Sequence, residues 1–210
     1  PGATSYQVSV QDASLTLDWR TKTSNTEIQY PGEPPLQPDS YYLVTVKTDK
    51  GYSSDHEQGV DLSFTLLHAQ QAESVTTAVA QLKQQQLTQE VETLTLAYLY
   101  HSYDLKAEAI ELLEELVKEG NQTAAVYQLL GDLYQEVGLS QQGKRLYLQA
   151  LELAKGTRNL EGQAQAQVGL AQLENNKTEA IEWLTQAQRN YQRLGHITKV
   201  QEVKEWLIRY

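Results

Sequence analysis

The 210-residue chain has no cysteine, no methionine, a single phenylalanine and five prolines. Without cysteine it can form neither a disulfide nor a thiolate metal site. Lacking methionine even at position 1 and opening on Pro1-Gly-Ala-Thr4, it is expected to be a processed protein or a piece cut from a longer one. Four of the five prolines fall within residues 31–38 and none follows, so backbone breaks are confined to the first fifth of the chain. No apolar run approaches the ~20 residues of a membrane helix, and no direct membrane insertion of this segment is expected. Basic charge is also scarce. The net charge is −10, with −5 in residues 1–64 and −5 in the remainder. Neither part offers the basic footprint of a nucleic-acid binder, so no nucleic-acid partner is expected.

The first 66 residues alternate and turn. Leu15, Leu17 and Trp19 share one face at period two, which predicts a strand over 14–19; Glu27–Tyr30 reads as another. After the proline cluster, Tyr42, Val44 and Val46 alternate, and Val60, Leu62, Phe64 and Leu66 supply a last strand. Leu36-x-Pro38 followed by Tyr42-x-Val44-x-Val46 resembles the tyrosine-corner strand of fibronectin type III and immunoglobulin-like domains, with Trp19 similar to their core tryptophan. The resemblance implies a small or truncated β-sandwich over 1–66, leaning on the helices that follow.

From Leu67 the period becomes three and four. Ala72, Val75, Val79 and Leu82 predict an amphipathic helix over 68–86. In Tyr127-Gln-Leu-Leu-Gly-Asp-Leu-Tyr134 the aromatic, Leu-Gly and aromatic residues stand at the spacing W-x2-L-G-x2-Y, and Gly143, Tyr147 and Ala150 follow. This resembles a tetratricopeptide (TPR) repeat, two antiparallel helices in about 34 residues. Ala97 to Gly131 and Ala109 to Gly143 are both 34 residues apart, so two markers share one period. Repeats are placed at 90–123, 124–157 and 160–195, with a terminal helix over 197–210 covering the last open face or, alternatively, beginning a fourth, truncated repeat. In the third repeat either Val168-Gly169 or Leu170-Ala171 serves as the large–small pair. The fold class is therefore α+β by segregation: a small N-terminal β-sandwich over 1–66, then an all-α TPR superhelix over 67–210.

The resemblance to TPR proteins, bacterial ones in particular, implies a non-enzymatic scaffold whose first helices line a groove for a protein or peptide. The groove residues are then Leu94, Tyr98 and His101 in the first repeat and Gln128, Asp132 and Gln135 in the second. Gln163, Gln167 and Glu174 are expected from the third. None of the first six is Lys, Arg or Asn, which disfavours a carboxylate-gripping groove. Tyr98 and His101 have an alternative role in packing on the 68–86 helix.

No catalytic constellation appears. The four histidines, His56, His68, His101 and His196, show no metal-ligand spacing, and no metal or cofactor is expected. Gly138-Leu-Ser140 lacks the nucleophile-elbow spacing. Asp49, Asp55, Glu57 and Asp61 read as a solvated acidic loop. The sequons at Asn121 and Asn176 fall where helix caps are needed. The alternative function is a regulatory or sensing module of a larger signalling or envelope protein, binding a small ligand. Cytoplasmic and periplasmic locations fit equally.

Overall fold

The computed structural model describes residues 2–14, 16–56 and 62–209, which divide into two compact units, Pro1–Thr77 and Ala78–Tyr210. The expectations placed on Leu15, Glu57, Val60 and Asp61 lie outside the described residues.

In the first unit, β1 (Tyr6–Asp12), β2 (Asp18–Thr23), β3 (Tyr41–Thr48) and β4 (Ser63–Thr65) form one antiparallel sheet in the order β2-β1-β3-β4. The register sets Val10 opposite both Trp19 and Val44, and Tyr42 opposite Phe64. Because side chains alternate along each strand, these residues share one face. Connecting segments cover that face with Leu17, Tyr30, Leu36 and Leu66.

Three details differ from the sequence reading. β1 was not among the expected strands. The strand expected from Ser14 starts at Asp18, because Asp12 ties Ser14, Thr16 and Leu17 to itself ahead of the strand. Its carboxylate accepts hydrogen bonds from the Ser14 and Thr16 hydroxyls and from the backbone N–H of Leu17. Residues 27–30 form no strand; Tyr30 instead sets its ring edge-on to Trp19, centroids 5.2 Å apart. Tyr42 is 2% exposed, and its hydroxyl accepts the backbone N–H of Gln37 at 2.6 Å.

α1 (Ala69–Lys83) spans the division between the units. The second unit then runs as helix pairs: α2 (Gln89–Ser102) with α3 (Lys106–Lys118), α4 (Ala124–Glu136) with α5 (Ser140–Gly156), and α6 (Leu160–Leu173) with α7 (Lys177–Leu194). α8 (Ile197–Arg209) follows. Gly195 ends α7 in the left-handed region at φ 72°, where a side chain would be strained. Asn176 caps α7, its Oδ1 accepting from Thr178 N at 2.9 Å, at the sequon where a helix cap was expected.

The second helices carry the same triplet three times: Ala109/Leu113/Leu116, Gly143/Tyr147/Ala150 and Ala180/Leu184/Ala187, all buried. The first two begin 34 residues apart and the last two 37, so the third repeat is out of step. Ala171 clusters with Leu184 and Ala187 as Ala97 clusters with Leu113 and Leu116. Leu170-Ala171 is therefore the large–small pair. α8 closes the stack through Val203, with Val200, Trp206 and Leu207 packed beside it.

Candidate protein-binding face on the first helices of the repeats

Small residues on α4, α5 and α6 let neighbouring helices cross closely and decide which face remains open. A Cβ built on Gly131 would stand 2.8 Å from the Tyr147 ring, and one on Gly143 would stand 3.1 Å from the Gly131 carbonyl oxygen. A Cβ on Gly169 would stand 2.5 Å from Tyr147 Cζ. Tyr147 is thus a fully buried ring clamped between α4 and α6 by two glycines.

Its hydroxyl emerges among the expected site residues. It lies 2.7 Å from Asp132 Oδ1 and 2.8 Å from Gln135 Oε1. Gln128 Nε2 donates to the same Asp132 oxygen at 3.0 Å, and Gln135 Nε2 donates to Gln172 Oε1 on α6 at 3.1 Å. Burial pushes the Asp132 carboxyl above the ordinary range, opposed by hydrogen bonds from Tyr147 and Gln128. Burial, and then the neighbouring Asp132 charge, raise the Tyr147 phenol. Gln128 Oε1 is buried with no hydrogen-bond partner among the described residues.

On α2, His101 Nε2 lies 2.9 Å from Glu136 at the end of α4, and Lys106 Nζ stands 3.8 Å from the same carboxylate. Leu94 is half-buried against the Ala97–Leu113 cluster. Tyr98 is the open one of the six, 49% exposed. Burial of its inner edge, and then the Asp132 charge, raise its phenol pKa. The structure therefore brings Tyr98, Gln128, Asp132 and Gln135 together through Tyr147 and Asp132, and sets His101 beside Glu136.

The three residues expected from the third repeat do not share this face. Gln163 Nε2 donates to the Ala154 carbonyl at 3.3 Å. Gln167 is 3% exposed and bonds Gln186 at 3.1 Å and Asn190 at 3.0 Å, both on α7. Glu174 pairs with Lys144 at 2.6 Å. The reason is register. Leu94, Tyr98 and His101 stand three before, one after and four after Ala97, and the second set is placed identically around Gly131. Around Ala171 those offsets give Val168, Gln172 and, past the end of α6, Asn175, and it is Gln172 that meets Gln135. Counting from Ala171 would have found it.

Among the described residues no group of three or more His, Asp or Glu is placed to hold a metal, and no helix is long and apolar enough to cross a membrane.

No protein-family model and no curated protein matches the chain. Solved structures do. BtubC (BKLC) from P. vanneervenii is 18% identical with a TM-score of 0.52 over 64% of this chain and 61% of that one. MamA is 19% identical with a TM-score of 0.45 over 67% and 95%. A putative kinesin light chain from Podosopora anserina with nearly identical TPR-like repeats is 23% identical, TM-score 0.45, over 66% and 87%. This chain thus spans about three fifths of the length of BtubC. At such identities the likeness is one of fold; the thrice-repeated triplet itself makes the helical part a stack of helix pairs consistent with TPR-like repeats, and a small antiparallel sheet comes before it in the chain.

Proposed function

We propose that the helical unit is a protein-binding scaffold with no chemistry of its own, holding a partner segment along the face built by α2, α4 and α6. The observation that carries this reading is the strip from Tyr98 through Asp132 and Gln135 to Gln172, in which side chains one repeat apart meet. Tyr98 supplies an aromatic surface, and Gln135 and Gln172 supply amides that both donate and accept. Such a strip suits an extended peptide, whose backbone needs both kinds of partner. Leu94 and His101 form its edge on α2. Gln128 and Asp132 serve it from beneath by fixing Tyr147.

The sheet, in this reading, is a reduced immunoglobulin or fibronectin-like module of a bacterial protein. Support for the module comes from the bond between the Tyr42 hydroxyl and the backbone five residues upstream, the contact that defines a tyrosine corner.

The test compares the wild-type chain with Tyr98→Ala/Gln172→Ala as bait in the source cell's extract at equal salt. Both substitutions sit at exposed side chains, so the two baits should melt together. A protein retained by the wild type and lost from the variant is the expected result. An unchanged set of retained proteins would remove the face assignment.

A further inference from the structure

α4 carries a second row of side chains. Tyr127, Leu130 and Tyr134 recur at three and four residues, centred roughly 140° around the helix from Gln128, Asp132 and Gln135. With Val117 on α3 and Leu146 on α5 they line a groove of about 640 Å³. That lies within the range of formed ligand sites. Its floor is Leu130, buried, while Tyr127, Tyr134, Val117 and Leu146 remain half-buried, so their apolar surface is reachable.

The aromatic walls are fixed. The Tyr127 hydroxyl donates to the Asn121 carbonyl at 3.2 Å, and the Tyr134 hydroxyl donates to the Glu114 carboxylate. Burial, then Glu114, push the Tyr134 phenol up to about 12, so it stays a donor at any physiological pH. Rings already tied down lose little freedom on contact, which favours their use in binding. Lys118 stands on one side of the groove and Arg145 on the other, both exposed, and neither has an ion-pair partner among the described residues. Among the described residues Glu114 is the one carboxylate lining the groove, and it is held by Tyr134. An apolar, aromatic floor between two unpaired cations complements an acidic segment that carries one large apolar side chain.

We propose that this groove is a second docking site, separate from the α2/α4/α6 face, which takes an acidic peptide. The peptide lays an aromatic side chain on Leu130 between the two tyrosines and sets carboxylates against Lys118 and Arg145. The scaffold then holds two segments at once, one on each row of α4.

The probe is a fluorescein-labelled peptide, Gly-Ser-Glu-Glu-Trp-Glu-Asp-Gly, titrated with the full chain and read by fluorescence anisotropy. The wild type should bind it saturably below about 1 mM, and Lys118→Glu/Arg145→Glu should weaken binding about tenfold or more. Tyr98→Ala should leave it unchanged, and a peptide with lysines in place of its acidic residues should not bind. Circular dichroism checks that the charge-reversed chain remains folded. Should that chain lose its helicity, Leu146→Gln serves instead, with the same expected loss. The proposal is overturned by absence of saturable binding, or by binding that Tyr98→Ala removes and charge reversal spares. It is also overturned if sedimentation shows the groove filled by a second copy, the chain associating in a way that Lys118→Glu/Arg145→Glu abolishes.

Discussion

The hydroxyl of Tyr147 lies 2.7 Å from Oδ1 of Asp132, at the point where a buried ring from α5 reaches the open face of α4. The same hydroxyl is 2.8 Å from Gln135 Oε1, yet it has one proton to give. Gln135 already directs its Nε2 at Gln172. The two arrangements that satisfy the cluster differ in where a proton sits. With Asp132 protonated, its O–H donates to Tyr147 and Tyr147 donates to Gln135. With Asp132 ionised, Tyr147 and Gln128 both donate to it, and Gln135 Oε1 loses its donor. The face of α4 is therefore held by a network whose order follows the state of one carboxyl.

Tyr147→Phe keeps the ring between Gly131 and Gly169 and deletes only the hydroxyl. Asp132 then keeps Gln128 alone, and Gln135 Oε1 has no donor from α5. The expected loss is about 1–3 kcal/mol of unfolding free energy, the cost of stranding buried polar groups. Urea denaturation followed by circular dichroism measures it. A variant as stable as the wild type would show that the hydroxyl bonds are exchanged for water at no cost.

Asp132 also sets a pH dependence. Burial raises its folded pKa above the ordinary 3.8, so the folded chain holds this proton more tightly than the unfolded chain does. Stability from this group is thus greatest at low pH and falls as pH rises from about 3.8 through the raised folded value. Asp132→Asn cannot ionise and should be free of that decline. The gap in melting temperature, wild type minus variant, should accordingly be larger at pH 4 than at pH 7. A constant gap would mean that the carboxyl is as well solvated in the folded chain as in the unfolded one.

Gly169→Ala tests the clamp itself. Its Cβ would stand 2.5 Å from Tyr147 Cζ, and the ring has little room to retreat because it already lies so close to Gly131 that a Cβ built there would stand 2.8 Å from it. The helices must part, at an expected cost of about 1–3 kcal/mol. Gly156→Ala is the control: it meets nothing within 4 Å and ends a helix, so it should be neutral or stabilising by up to about 1 kcal/mol. Thermal melts of the pair separate overpacking from the general effect of removing a glycine.

These residues also explain what was legible in the sequence. Ala97, Gly131, Ala109 and Gly143 lie at helix crossings, where close approach forbids a larger side chain, so their 34-residue spacing is visible without a structure. The third repeat hides because α6 offers two large–small pairs and the triplet spacing there stretches to 37. Gln167 looks like a surface amide, and only its neighbours Gln186 and Asn190 bury it. The polar contacts across helices had a readable signal after all. His101 and Glu136 are 35 residues apart and Gln135 and Gln172 are 37, close to one repeat length. Polar side chains so separated become neighbours on adjacent helices, which marks such pairs as candidates in any repeat sequence. β1 escaped notice for a different reason. Its apolar set is only Tyr6, Val8 and Val10, and what completes the face is its pairing with β2 and β3.

Tyr42→Phe addresses the sheet. The ring is 2% exposed and stacks on Phe64 with centroids 5.2 Å apart, so phenylalanine should keep the packing. What is lost is the acceptor for Gln37 N, the bond that turns the proline-rich segment back over the apolar face at Leu36. Losing this part-buried hydrogen bond costs on the order of 1 kcal/mol, or about fivefold in a local opening equilibrium. Hydrogen exchange of the peptides covering 6–12 and 41–48 should therefore speed up by about that factor, since both strands depend on the same cover. If exchange there is unchanged while the 31–40 segment alone exchanges faster, the corner holds only its own loop, and the sheet owes its cover to Leu17, Tyr30 and Leu66.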